Sequence, residues 1–195
     1  MRCLYCYNPD IVLGKGKLSV DDARNFLKSR QSLLQGVVFS GGECTLHPDL
    51  VPLARIAKTM GYQVKIDTNG TKPEVLEKLL NEKLVDYIAM DFKGLGEKHR
   101  EITVSDTLDT FTESLTLLQH AGIPFEIRTT WHSHLLSLKN IQAMVSYLER
   151  HGYNGDYFIQ YFKNDVKTLS SLPYMRTHLD VLPLSTAKIR VRLRC

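Results

Sequence analysis

An α/β fold built as a parallel sheet with helical crossovers is what the chain predicts, on three observations. Five β-branched or aromatic runs bounded by turn residues read as buried strands: Val37 to Ser40, Gln63 to Thr68, Tyr87 to Lys93, Phe125 to Thr130 and Asp156 to Phe162. Helical patterns separate these runs. The 195 residues, 43% of them hydrophobic, can bury a sizeable core as one domain without disulfides. A sixth strand would precede Cys3, so the expectation is a partial (β/α)6 barrel that lacks its first strand in this chain.

Each element has its own signal. The residues after Cys6, Tyr7-Asn8-Pro9-Asp10, read as a continuing loop. Ser19-Val20-Asp21-Asp22 resembles a capping box before a helix over Ala23 to Leu34. Pro48 opens a second helix, whose Leu53, Ile56, Ala57 and Met60 recur at helical spacing and which Gly61 ends. Pro73 starts a third through Leu80, and Leu108 to Gln119 and Leu138 to Arg150 supply two more, with Gly122 and Gly152 just past their ends. The core is expected over about 1–165, with a C-terminal extension over about 166–195. In that extension Lys188 to Arg194 alternates basic and apolar residues, the pattern of a half-exposed edge strand protected by its cations.

Composition narrows the function classes. A net charge of +4, with Lys and Arg dispersed among Asp and Glu, gives no nucleic-acid groove. No apolar stretch is long enough for a bilayer and no signal peptide is visible, so no membrane partner is expected and the cytoplasm is the expected compartment. Cysteines stay reduced there.

The chemistry-bearing residues start with Cys3-Leu4-Tyr5-Cys6. Thiolates are the soft ligands of iron-sulfur clusters, and a C-x2-C pair on a tight loop can grip two irons. The other cysteines, Cys44 and Cys195, are isolated, which argues against a zinc ribbon. Alone, the pair leaves cluster, redox and zinc use open. In parallel β/α folds the loops after the strands gather at one end, where distant residues converge. Ser40-Gly41-Gly42-Glu43 follows the first run. Its paired glycines let backbone approach a ligand, and the carboxylate of Glu43 can accept from an ammonium group, although a plain capped turn reads the same way. Asp67-Thr68-Asn69-Gly70 follows the second. Asn69-Gly70 is a common turn signal, while Asp67 could bind a ribose hydroxyl. Asp91 and Lys93, two apart on a strand, share a face, either as a structural charge pair or as a grip on a polar ligand. Arg128 and His132 follow on the next strand and loop, and each by itself reads as a surface or packing residue.

Taken together and in this order, Cys3 to Pro9, Val37 to Glu43, Asp67 to Gly70, Met90 to Lys93 and Arg128 to Thr130 resemble the radical S-adenosylmethionine (SAM) activases of glycyl radical enzymes. The likeness covers Cys3 to about Phe162 and is greatest to the activases that serve anaerobic ribonucleoside-triphosphate reductase. It implies a TIM-like partial barrel, a [4Fe-4S] cluster and SAM as cofactors, a glycyl radical enzyme as protein substrate, and a reduced flavodoxin or ferredoxin-type electron donor. It also implies roles. Cys3 and Cys6 match two of three cluster ligands and are the catalytic centre. Gly41, Gly42 and Glu43 match the segment that holds the methionyl amino group. Asp67 and Lys93 match polar positions near the ribose and carboxylate, Asp91 completes the same Asp-x-Lys motif, Asn69 is counted with the cofactor-binding residues, and Arg128 and His132 are outer members of the shell.

By the same resemblance the cluster donates an electron to SAM, and the resulting 5′-deoxyadenosyl radical takes a hydrogen from a glycine Cα of the partner. The family spacing C-x3-C-x2-C would put the third cysteine two positions upstream of Met1, so Met1 reads as an internal methionine. Two thiolates should hold a cube poorly, which makes an inactive chain one expectation. Cys44, at a position where the family has proline, reads as a small buried thiol and not as the third ligand. A pyruvate formate-lyase activase or a small-molecule radical SAM enzyme would share every motif. A truncated, non-catalytic SAM-binding or interaction remnant is the alternative of another class.

Overall fold

A computed structural model describes every residue except Lys15, Lys17 and Cys195. Six strands, β1 Gly36–Phe39, β2 Gln63–Thr68, β3 Tyr87–Asp91, β4 Phe125–Trp131, β5 Gly155–Tyr161 and β6 Ile189–Arg194, form one sheet in sequence order. All five pairings are parallel. The helices among the described residues are α1 Pro9–Leu13, α2 Val20–Ser29, α3 Leu50–Thr59, α4 Pro73–Asn81, α5 Gly96–Thr103, α6 Leu108–His120 and α7 Leu138–Arg150. Right-handed crossovers between sequential parallel neighbours put the helices on one face of the sheet, the arrangement of a partial barrel.

That topology explains the strand patterns. On the helix-covered face Val64, Ile66, Ile88, Met90, Ile127, Tyr157, Ile159 and Ile189 are buried against Ala54, Ala57, Leu76, Leu79, Leu115, Leu118, Ile141 and Leu148. The alternate residues of β2 to β6 (Lys65, Asp67, Tyr87, Asp91, Glu126, Arg128, Thr130, Asp156, Gln160 and the arginines of β6) point to the other face, as a two-residue period requires. The open face is therefore polar.

Several local expectations are corrected. The loop expected after Cys6 becomes α1 at Pro9, where proline at the first helical position costs no hydrogen bond. The Ser19 capping box is present, with Asp22 as its partner, but α2 ends at Ser29 and not at Leu34. The Pro48 segment becomes helical only at Leu50, after a 3-10 turn over Cys44–Leu46. α5 had no expected counterpart. The alternating C-terminal run is the edge strand β6, in register with β5 from Gly155↔Ile189 to Gln160↔Arg194. It supplies the sixth strand of this sheet. Among the described residues no helix is long and apolar enough to cross a membrane.

Candidate active site

The cysteine loop is fixed by backbone on two sides. Arg2 and Leu4 donate N–H bonds of 3.0 Å to the carbonyls of Thr103 and Ile102, which ties the loop to the end of α5. From the other side the Leu169 and Ser170 N–H groups donate to the Cys6 and Leu4 carbonyls, at 3.2 and 3.0 Å. Tyr7 stacks on Phe162 at 5.5 Å and accepts from the Lys163 N–H at 2.6 Å. A bond of 3.0 Å from the Cys6 N–H to the Cys3 carbonyl closes the turn that brings the two cysteines together.

Cys3 and Cys6 open on a cavity of about 790 Å³, a size suited to a cofactor, which Gly41, Gly42, Asp67, Asp91, Lys93 and Arg128 also line. Both cysteines are free thiols. Burial raises the Cys3 thiol pKa, with Lys93 pulling it back and Asp91 pushing it further up. Soft donors on one loop, bordering a cavity of this size, fit an iron-sulfur cluster. No group of three His, Cys, Asp or Glu side chains able to hold a metal occurs among the described residues, so the pair Cys3 and Cys6 stands without a third such side chain beside it. Cys44 stays apart. It is buried, donates its thiol to the Asp67 carbonyl at 3.3 Å, and burial with Glu43 and Asp67 nearby pushes its pKa up to about 12.

Across the cavity runs an alternating chain of charges. Lys93 Nζ lies 3.0 Å from Asp91 Oδ2, Arg128 Nε donates to Asp91 Oδ1 at 2.5 Å, and Arg128 reaches Asp67 Oδ2 at 3.3 Å. Lys65 Nζ forms an ion pair with Asp67 Oδ1 at 3.0 Å but outside hydrogen-bond alignment, so that buried oxygen has no hydrogen-bond partner among the described residues. Register explains the convergence, because Asp91 pairs with Arg128, and Asp67 sits two strands from Arg128 on the same face. Burial opposes ionisation of Asp91, but Lys93 and Arg128 outweigh it and hold the carboxyl below its usual range. Burial likewise opposes the Lys93 charge, and Asp91 overrides it, so Lys93 stays protonated. The Tyr5 hydroxyl is also buried without a partner, beside Lys93 at 5.6 Å from the ring.

Glu43 lines the cavity and also carries a structural task. Its Oε1 accepts from the Thr45 and Thr68 hydroxyls at 2.6 and 2.7 Å, and its Oε2 accepts from the Asn69 N–H at 2.6 Å. These bonds clamp the loop after β1 to the end of β2 and the loop beyond it, and they leave acceptor capacity on Oε2. The glycine pair lines the cavity alongside Glu43, and Gly41 at φ +124° holds a conformation that side chains rarely adopt. Asn69 Oδ1 accepts from Thr71 while its backbone meets Glu43, so this residue shapes the rim. His132 is not brought in. It is fully buried against Phe162, accepts the His134 N–H on Nδ1 at 3.2 Å and therefore donates from Nε2 to the Pro173 carbonyl at 3.0 Å. Thr130, Gln160, Lys163 and Arg194 line the cavity without having been singled out. The period-two face of β4, β5 and β6 was the signal that could have found Thr130, Gln160 and Arg194.

A parallel β/α sheet with a thiol loop, a glycine-paired loop and a charge network at the carboxyl ends of its strands defines a class of cofactor-binding β/α proteins. The Radical SAM superfamily model matches residues 1–151, and the chain belongs to that superfamily. Members use a [4Fe-4S] cluster and SAM. The chain is 34% identical over 73% of its length to a Methanocaldococcus jannaschii protein assigned as a glycyl-radical enzyme activating enzyme. It is 31% identical over 66% of its length to the pyruvate formate-lyase-activating enzyme of Streptococcus mutans. It spans 61% and 54% of those two relatives. The fold also matches Streptococcus suis SuiB bound to SAM, with a TM-score of 0.74, 13% identity, all of this chain and 47% of that one.

Proposed function

We propose that this chain is the core of a radical SAM activase, which cleaves SAM reductively and generates a glycyl radical on a partner enzyme. One observation carries the reading: a single cavity joins Cys3 and Cys6 to the Gly41-Gly42 backbone and to the Asp67, Asp91, Lys93 and Arg128 network. The relatives' names support the glycyl radical class. Cys3 and Cys6 would hold the cluster, which when bound supplies the one electron that SAM cleavage needs.

The chain's own side chains do the rest. Lys93 and Arg128 offer fixed positive charge for a carboxylate, Asp67 offers a carboxylate at the cavity wall to a ribose hydroxyl, and Asp91 orients both cations between its two oxygens. The glycine pair presents backbone to an ammonium group, while Glu43 and Asn69 set the shape of that rim. Walls of this kind exclude water from a reactive radical. As partner we favour anaerobic ribonucleoside-triphosphate reductase, on the motif likeness, with a reduced flavodoxin or ferredoxin-type donor in the cytoplasm. The competing partner is pyruvate formate-lyase, which the Streptococcus mutans relative's name mentions.

The test is anaerobic reconstitution of the full gene product with iron and sulfide, followed by reduction with SAM present. Release of 5′-deoxyadenosine and a glycyl radical signal in the reductase are expected. A signal only in pyruvate formate-lyase would replace the partner. Absence of both iron and SAM cleavage would leave the non-catalytic remnant.

A further inference from the structure

The open face of the sheet carries a second polar lattice beyond the SAM-facing network. Arg190, Arg192 and Arg194 occupy alternate positions of β6 and share that face. Arg194 is held firmly. Its two terminal nitrogens donate to the two oxygens of Glu126 at 2.6 and 2.7 Å, Tyr87 donates to the same carboxylate at 2.8 Å, and the guanidinium lies 3.8 Å from the centre of the Phe158 ring. Arg190 and Arg192 share one acceptor, Asp156 Oδ1, at 2.6 and 3.1 Å.

Protection of an edge strand accounts for charge on β6 but not for this arrangement. Among the described residues three arginines here face two carboxylates, an excess of one positive charge. Of the five N–H donors of a guanidinium, Arg194 uses two among the described residues. Arg194 lines the cavity beside Gln160, its register partner, with Thr130 next on β4. The side chains of Arg190 and Arg192 remain 65% and 44% exposed. A rigid cation at the cavity wall, two adaptable cations outside it and neutral hydrogen-bonding groups between suit an extended peptide with an acidic flank.

We propose that the β6 arginine ladder docks an acidic segment of the protein substrate, leading its backbone past Gln160 and Thr130 toward the SAM end of the cavity. This rests on the activase reading for its direction, but it is tested without turnover. A fluorescein-labelled glutamate-rich peptide with a central glycine, its glutamine counterpart and a polyuridine oligonucleotide are titrated against the full chain by anisotropy. SAM binding is measured separately by equilibrium dialysis. The acidic peptide should bind, the glutamine peptide should bind at least about tenfold more weakly, and added salt should erase the difference. Arg190→Ala and Arg192→Ala should each weaken the peptide by about threefold and leave SAM binding unchanged. Arg194→Gln should abolish the preference for acid. Because that variant strands Glu126, the double variant Glu126→Gln with Arg194→Gln must lose it as well. Equal binding of both peptides, or tighter binding of the oligonucleotide, overturns the proposal. A wild-type chain that docks the acidic peptide but takes no SAM keeps the docking surface and removes the activase reading.

Discussion

Lys93 and Glu43 show how differently two charged residues of one site can act. Lys93 has one partner, Asp91, and its other donors face the cavity wall beside Tyr5. A charge-assisted bond to a SAM carboxylate contributes about 1.5–3 kcal/mol, so Lys93→Ala should weaken SAM binding by about tenfold or more. Iron content after reconstitution should not change, because the thiols are untouched, and unchanged SAM affinity would remove Lys93 from the site. Glu43 is the opposite case, with protein donors on both of its oxygens. A glutamine there presents N–H groups to Thr45 and Thr68 or to the Asn69 N–H, so one side of the clamp is lost. Glu43→Gln should cost about 1–3 kcal/mol, read as a lower urea midpoint with an unchanged slope. The motif was legible in the sequence, but this use was not, since its partners Thr68 and Asn69 lie 25 and 26 residues away.

At the scale of elements, strands were easier to read than the short helices. Gln63–Thr68 and Leu138–Arg150 match the expected bounds, because each carries a full period of buried apolar residues between clear turn signals. α1 has five residues and α5 is Gly-Glu-Lys-His-Arg-Glu-Ile-Thr, so neither has an apolar stripe long enough to register. α5 is held by tertiary contacts: His99, Ile102 and Thr103 are buried and the N-terminal loop bonds to its last turn. Similarly, His132 was assigned toward the cavity because nothing local reveals that Pro173 accepts from it across 41 residues. α5 also ends awkwardly. Its C-terminal cap, Val104, is in the left-handed region at φ 52°, ψ 39°, and is 67% exposed. A β-branched residue there costs on the order of 1–2 kcal/mol, and asparagine tolerates it. Val104→Asn should therefore raise the urea midpoint, by about 1 kcal/mol of stability, and because α5 carries the cysteine loop it should not lower iron retention. A destabilised variant would mean that Val104 buries more than its exposure indicates.

The whole molecule is a sheet with an apolar face under helices and an ionic face toward the cavity. These two faces respond to pH differently. Among the buried groups, His99 and His132 are held neutral by burial, which lowers their pKa, whereas the open face depends on Asp91 between Lys93 and Arg128, and on Glu126 between Arg194 and Tyr87. Both carboxyls are held below their ordinary range by those cations and donors, against the opposing effect of burial. In the unfolded chain they bind protons near pH 4, before the folded state does, so around that pH the unfolded state carries more protons and stability rises with pH. Their contribution is complete above about pH 5 and drains away as pH falls through the lower folded values. The unfolded chain also protonates His99 and His132 before the folded state does. The thermal unfolding temperature should therefore begin to fall below about pH 6.5 and fall further below about pH 5 as the carboxylates join. Replacing both ends of the Glu126 pair, with Glu126→Gln and Arg194→Gln together, should flatten the acid limb while leaving the neutral melting point within a few degrees. An acid limb of unaltered steepness in that double variant would assign the loss to carboxylates elsewhere and deny the open face its share of acid sensitivity.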